Sequence, residues 1–144
     1  MAEGETVSTP PDIDAFLQEH RRTFFITLRS DGTPTVHPMT GLYNQGSLHY
    51  TSYRRSAKNR NIERDARVCC LALNGYDAEQ VRAVTLKGVA RIREGAEMPQ
   101  RRPVQGVEPS SASRARRAIR AGRRVIIEIV PAGVIGFMDQ VRGE

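Results

Sequence analysis

The sequence lacks tryptophan altogether, has only two cysteines in 144 residues and contains no long apolar segment. A helix that spans a membrane needs about 20 consecutive apolar residues, and the acidic, polar residues 1–14 do not resemble a signal peptide. Cys69 and Cys70 are neighbours, so on a strand they point to opposite faces and are poorly placed to bridge each other. Metal ligation would need more sulfur or histidine nearby. We therefore expect a reduced, cytoplasmic protein without a membrane segment or a metal site.

The composition is typical of a folded protein, with 39% hydrophobic and 26% charged residues. No repeat or linker divides the chain, so we expect one domain over residues 1–144, with residues 1–10 as a flexible lead-in. The formal net charge of +6 predicts an anionic partner. Nucleic acid and phosphorylated small molecules both satisfy this charge, and its distribution has to decide between them.

Alternating apolar and polar residues predict the strands of this chain. Six are expected, at residues 22–29, 33–43, 47–53, 68–74, 81–93 and 124–130, with a short extension at 135–138; helical patterns cover 11–20, 57–65 and 110–120. The Asp31-Gly32 pair predicts a hairpin, and Pro38 an edge strand or a bulge. Gly88 predicts a bulge or a close backbone approach. The nearly all-apolar residues 68–74 predict a strand buried on both faces.

Six strands with so few helices do not fit a doubly wound parallel sheet. We predict a mainly β fold in which antiparallel strands close into a small barrel and remove the exposed edges.

The segment 50–68 predicts a strand that leads directly into a helix, with Ser56 as the N-cap. The first N–H groups of a helix have no internal partner, and the helix dipole favours an anion there. Lys58 follows in the first turn, Arg54 and Arg55 precede it, and Asn61 lies one turn after Lys58. These residues predict a phosphate site. The alternative is a solvated cationic face, although positive charge at a helix N-terminus is unfavourable without an anion.

Here the chain resembles the pyridoxamine 5′-phosphate oxidase-like split β-barrel superfamily, over roughly residues 12–137. The most specific part is SxKxRNIxRDxRV at residues 56–68. It is similar to the motif of the flavin/deazaflavin oxidoreductases that use coenzyme F420. Ile62 and Ala66 stand where leucine and proline are usual, and both changes leave the phosphate-facing residues in place.

The resemblance implies a six-stranded antiparallel split β-barrel of the FMN-binding type, with short flanking helices. It implies that Lys58 and Asn61 contact the cofactor, with Ser56 as a weaker contact. His37, Pro38 and Met39 are then expected beneath the tricyclic ring. It also implies a homodimer with the cofactor between the subunits. Arg60-Asn61 favours F420 over FMN, and a haem or tetrapyrrole ligand is a further family possibility.

For such a cofactor we expect hydride transfer from reduced F420 to a small organic acceptor, because the chemistry belongs to the cofactor. The alternative is an FMN-binding oxidoreductase of the pyridoxamine phosphate oxidase-like group. Vitamin B6 oxidation itself is not expected, because the sequence ends GFMDQVRGE and lacks the arginine-containing signature of the enzymes that carry it out. A proton for the acceptor is expected from His37, Tyr43, Tyr53 or solvent. For His37 the competing interpretation is a packing or surface residue, and for the tyrosines it is a barrel wall.

The main non-enzyme hypothesis is a nucleic-acid-binding module. Between Arg101 and Arg124 there are eight arginines and a single acid, Glu108. The stretch has no aromatic residue for stacking and no known binding motif, so a solvated helix face is favoured and no nucleic acid is expected. A cofactor carrier without turnover is a third possibility.

Overall fold

Eight strands and three helices form the part of the chain that the structure, a computed structural model, describes: residues 11–75, 79–95, 110–132 and 136–141. The helices are α1 (Pro11–Glu19), α2 (Ala57–Arg64) and α3 (Ser110–Arg120). The strands are β1 (Arg22–Leu28), β2 (Pro34–Thr40), β3 (Leu42–Asn44), β4 (Ser47–Tyr53), β5 (Arg67–Leu73), β6 (Gln80–Arg93), β7 (Arg124–Pro131) and β8 (Gly136–Val141). The predicted lead-in at residues 1–10 and most of the predicted irregular stretch before α3 lie outside the described residues.

All eight strands belong to one sheet with the order β2-β1-β5-β6-β7-β4-β3, and β8 pairs with β6. Every pairing is antiparallel. The mainly β split-barrel prediction is therefore confirmed, but the strand count is eight rather than six. Among the described strands β2, β3 and β8 each have a single neighbour, so edges remain and the expected closure without edges was wrong. The two extra strands are β3 and β8.

The segment predicted as one strand over residues 33–43 is two strands separated at Gly41. A Cβ atom at Gly41 would lie 2.8 Å from Cε1 of Tyr50, so the backbone passes too close to that ring for a side chain. The predicted hairpin is present: Asp31 Oδ1 accepts a hydrogen bond from the backbone N–H of Thr33 at 3.0 Å. Pro38 lies on the edge strand β2, as predicted, because proline cannot donate to a second neighbour.

The main core lies on one side of the sheet, where α1 contributes Phe16 and Leu17 and α2 contributes Ile62. Its buried residues are Phe16, Leu17, Phe25, Tyr43, Leu48, Tyr50, Ile62, Val68, Cys70, Ala72, Val84, Leu86, Ala90, Ile127 and Ile129. Burying this apolar surface is the main stabilising contribution to the fold. No helix in the described residues is long and apolar enough to cross a membrane.

The long strand β6 pairs with β8 over Gln80–Thr85 and with β7 over Gly88–Arg93, so one edge of it serves two partners. The partner strand changes from β8 to β7 between Thr85 and Gly88. A Cβ atom at Gly88 would lie 2.3 Å from the carbonyl oxygen of Val130, closer than any real contact. The predicted close backbone approach at Gly88 is thus confirmed.

One side of the sheet carries apolar residues that no described helix covers. We call it the outer face; it consists of Phe24, Ile26 and Leu28 of β1, Val36 of β2, and Cys69, Leu71 and Leu73 of β5. Most of these side chains are half-buried, and Val36 is 56% exposed. The prediction that residues 68–74 are buried on both faces was therefore wrong for this single chain. An apolar surface of this extent is characteristic of a contact with another molecule.

Candidate functional site

The β4–α2 junction is built by a serine cap, as the sequence predicts. Ser56 has extended backbone angles (φ −67°, ψ 153°), and its hydroxyl accepts a hydrogen bond from the backbone N–H of Asn59. The hydroxyl groups of Ser56 and Ser52 are also 2.9 Å apart. No acidic residue occupies the first turn of α2. The remaining positive partial charge of the helix N-terminus is therefore not balanced by the first turn itself.

Asn59 holds this junction together, a role that was not predicted from the sequence. Its amide Nδ2 donates to the carbonyl oxygens of Tyr53 at 3.0 Å and of Arg54 at 3.1 Å. The side chain is 1% exposed, and its Oδ1 has no hydrogen-bond partner among the described residues. Two asparagines inside a short helix are unusual, because asparagine is a poor helix former. That pattern was the one available signal that Asn59 and Asn61 have buried partners.

The four predicted cationic contacts around the cap differ in their surroundings. Lys58 is half-buried, whereas Arg55 and Arg60 are exposed. Arg54 is directed to other elements: its Nε donates to the carbonyl oxygen of Gly122 at 3.0 Å, and its Nη1 lies 3.1 Å from Oε1 of Glu94. The predicted contact between Arg54 and a phosphate would therefore compete with these bonds.

The predicted ring-facing residues do not share one side of β2. His37 and Met39 are half-buried on the side that faces the core, and Met39 packs against it. Pro38 is exposed and lies between them on the opposite side. Of the three, His37 is the one that the structure brings near α2.

His37 and Lys58 lie close enough to interact electrostatically. Burial and, second, the positive charge of Lys58 lower the pKa of His37 from its ordinary value of 6.5. The Nδ1 atom of His37 is buried and has no hydrogen-bond partner among the described residues. The neutral imidazole of His37 can offer a hydrogen bond through a ring nitrogen, and the ammonium group of Lys58 can offer a positive charge. Together the two groups suit an anionic ligand.

Asn61 is buried and bonded within the protein. Its Nδ2 donates to Oγ1 of Thr27 at 3.0 Å, and its Oδ1 accepts from Nη2 of Arg64 at 2.9 Å. Thr27 is 34 positions away in sequence, so this contact was not visible in the local pattern. The predicted contact between Asn61 and a cofactor stays a prediction.

The two tyrosines considered as proton donors occupy opposite environments. Tyr43 is 3% exposed and belongs to the core, which agrees with the interpretation of this tyrosine as part of the barrel wall. Tyr53 is 64% exposed, and the guanidinium carbon of Arg124 lies 4.4 Å from its ring centre. Of the two, Tyr53 is accessible to a ligand.

Two further features stand apart from the junction. His49, to which the sequence assigned no role, is buried with its Nε2 3.4 Å from Glu128, which also accepts a hydrogen bond from Arg93 at 2.9 Å. On α3, Ala118 and Ile119 are buried, while Arg114, Arg116, Arg117 and Arg120 are exposed. The arginines thus form a solvent-facing side of α3, and binding of nucleic acid there stays untested.

Comparison with known families identifies the fold. The model of the pyridoxamine 5′-phosphate oxidase family matches residues 9–137, well over half of the chain. The chain belongs to the pyridoxamine 5′-phosphate oxidase family. The superfamily resemblance seen in the sequence is thereby confirmed. No curated protein matches the chain.

Solved structures share this family's fold at low sequence identity. A conserved hypothetical protein, Rv2991 from Mycobacterium tuberculosis, is 22% identical with a TM-score of 0.71, covering 96% of this chain and 89% of that one. An F420 reductase is 20% identical with a TM-score of 0.66 and coverage of 89% and 98%. The heme storage protein HutZ from Vibrio cholerae is 17% identical with a TM-score of 0.62 and coverage of 90% and 94%. These likenesses show the fold alone.

Titration of His37 tests the geometry of the site. In the folded protein its pKa is expected below 6.5, and Lys58→Ala should raise it, because one of the two causes of the shift is removed. The unfolded chain binds this proton at a higher pH than the folded protein does. The free energy of unfolding therefore decreases as the pH falls from 6.5 to the folded-state pKa of His37. NMR of the imidazole protons measures the pKa directly. Arg91→Ala, an exposed position on β6, is the control. An unchanged pKa in Lys58→Ala would contradict the proximity.

Proposed function

We propose that this member of the pyridoxamine 5′-phosphate oxidase family is an oxidoreductase that uses coenzyme F420 to reduce a small organic acceptor. The observation that carries the proposal is the hydrogen-bonded link of α2 to β2, from Asn61 through Thr27 to Thr35. Thr35 and His37 lie on the same side of β2, so this link brings the first turn of α2, with Lys58, and the unpartnered buried Nδ1 of His37 to the same side of the sheet. A ligand with a phosphate next to a flat ring suits both groups at once.

The phosphate end is supported by the electrostatics of α2. Its first turn has a serine cap and no acid, so unpaired N–H groups and the helix dipole favour a negative charge there. Lys58 adds a point charge, and Arg55 is exposed and unrestrained by any described ion pair. In this proposal Ser56, Lys58 and Arg55 hold the phosphate, and Arg60 faces the tail beyond it.

The ring end is supported by β2. His37 and Met39 lie on the core-facing side of β2, and the unpartnered Nδ1 of His37 is a hydrogen-bond acceptor or donor for a ring edge, depending on the tautomer. When bound, the deazaflavin supplies a transferable hydride. The protein would orient ring and acceptor and exclude water, and His37 or the accessible Tyr53 would hold the proton that the acceptor needs.

We further propose that the functional unit is a homodimer joined through the outer face. That surface is apolar, lies on the edge strand β2 and its neighbours, and is not covered by any described helix. A second copy is a fitting occupant because an isologous pair buries the same apolar residues of both chains. His37 lies on the other side of β2, one residue from Val36, so such a contact would fix the strand that carries it.

Direct binding tests the cofactor proposal. The purified protein is titrated with F420 and, separately, with FMN, following quenching of ligand fluorescence. We expect F420 to bind more tightly. Lys58→Ala should weaken its binding by about tenfold to a hundredfold, since a hydrogen bond to a charged group contributes about 1.5–3 kcal/mol.

Arg91→Ala, which removes the same charge from the outward side of β6, should leave the affinity within about twofold. If FMN binds more tightly than F420, the cofactor is FMN instead of F420. If neither ligand binds, the proposal is wrong. Anaerobic assays with reduced F420 and enone or quinone acceptors separate an enzyme from a carrier, because a carrier binds the cofactor without oxidising it.

A further inference from the structure

A chain of hydrogen bonds joins α2 to β2 through β1. Arg64 donates to Asn61 Oδ1 at 2.9 Å, and Asn61 Nδ2 donates to Thr27 Oγ1 at 3.0 Å. The hydroxyl groups of Thr27 and Thr35 are 2.9 Å apart. Either hydroxyl can be the donor in that contact, because Thr27 Oγ1 has a second lone pair beside the one that accepts from Asn61.

The middle of the chain is buried, whereas Arg64 at one end is exposed and Thr35 at the other is half-buried. Thr27 is 0% exposed and Asn61 is 7% exposed. Buried polar groups polarise one another in such a series, and removing one partner leaves the next unsatisfied. The chain therefore fixes a geometry more firmly than an exposed contact would.

The hydrogen-bond chain connects the two halves of the proposed site, the phosphate end on α2 and the ring end on β2. Asn61 lies one turn beyond Lys58 on α2, and Thr35 precedes His37 by two positions on the same side of β2. A shift of α2 against β2 would change the distance between the phosphate end and the ring end. The chain sets that distance.

We propose that Asn61, with Thr27 and Thr35, is a positioning residue that holds the first turn of α2 at a fixed distance from β2, instead of contacting the ligand. The proposal rests on the proposed function, and it assigns Asn61 a different role from the contact that the sequence predicted. A ligand that bridges both halves gains from this preorganisation, whereas a ligand that occupies one half does not.

The test compares intact and half ligands in Thr27→Val, which removes the hydroxyl with little change of shape. F420 is the intact ligand, inorganic phosphate probes α2, and a phosphate-free deazaflavin probes β2. We expect the affinity for F420 to fall by about tenfold and that for each half ligand to change by less than about twofold. Thr27→Ser should restore F420 binding. Thr51→Val, which removes a threonine hydroxyl that bonds Arg124 at 3.0 Å on the outward side of β4, is the matched control.

Equal losses for the intact and half ligands would overturn the proposal, as would unchanged F420 binding. If the wild type binds neither F420 nor FMN, the proposed function fails, and spin labels then judge the positioning alone. With Cys69→Ser as background, labels at Thr40 and Arg60 report the distance between β2 and α2. A broader distance distribution in Thr27→Val than in Thr51→Val supports the proposal, and identical distributions overturn it.

Discussion

Gly88→Val is expected to prevent stable folding, the largest effect of any single change considered for this chain. A Cβ atom at this position would lie 2.3 Å from the carbonyl oxygen of Val130 and 3.1 Å from Cγ2 of Ile129. The first neighbour is backbone, and it belongs to the strand that pairs with β6, so it cannot move aside without breaking the β6–β7 ladder. Overpacking alone costs about 1–3 kcal/mol, and the lost pairing adds to that.

Urea unfolding followed by circular dichroism measures the effect. Gly136→Ala is the matched control, because a Cβ atom there meets Thr85 at an ordinary 3.6 Å. The control should fold with a free energy of unfolding within about 1 kcal/mol of the wild type. A Gly88→Val protein as stable as this control would show that β6 and β7 do not approach as closely as described.

Val36→Asp is expected to convert the proposed dimer to monomers while leaving the chain folded. Val36 is 56% exposed in the single chain, so a carboxylate there stays hydrated and the monomer loses little stability. In a dimer joined through the outer face the same carboxylate would be buried against apolar residues, which costs several kcal/mol. Light scattering measures the mass, and a thermal melt confirms folding.

Gln18→Asp is the control, because it adds the same charge at an exposed position of α1, the helix that packs against β3. It should remain dimeric. If Val36→Asp is dimeric as well, the subunits meet elsewhere. If the wild type is a monomer, the outer face has a different partner. Loss of F420 binding in the monomeric variant would place the cofactor between the subunits.

Local signals predicted much of this fold. The Asp31-Gly32 turn, the edge position of Pro38, the Ser56 cap and the close approach at Gly88 each follow from one residue and its immediate neighbours. In each case the constraint is a property of the backbone itself, such as a positive φ, a missing N–H group or an unpaired helix terminus. The sequence expresses such constraints directly.

Features that depend on distant partners were not predictable. An apolar run such as VCCLAL reads the same whether its second face meets a helix, a second chain or water, so the half-burial of Cys69 and Leu71 was missed. The break at Gly41 depends on the ring of Tyr50. Sequence alone does not show that Arg54 bonds to Gly122 and Glu94, which would compete with the predicted phosphate contact. The bond of Asn61 to Thr27 was not predictable either, because Thr27 lies 34 positions earlier.

The pairing of β4 with β7 has a consequence for the order in which the chain acquires its structure. β1 pairs with β2, and β5 with β6, through short connections, so these hairpins can form early. The first half of β4 pairs with the neighbouring β3, but residues 50–53 pair with β7, whose Arg124 is 73 positions after Thr51. Closing so long a loop is slow and entropically costly. During synthesis, therefore, residues 50–53, which lead into α2, gain their sheet partner only after residues 124–127 have been made, so the N-terminal end of α2 is held in place later than the β1–β2 and β5–β6 hairpins form.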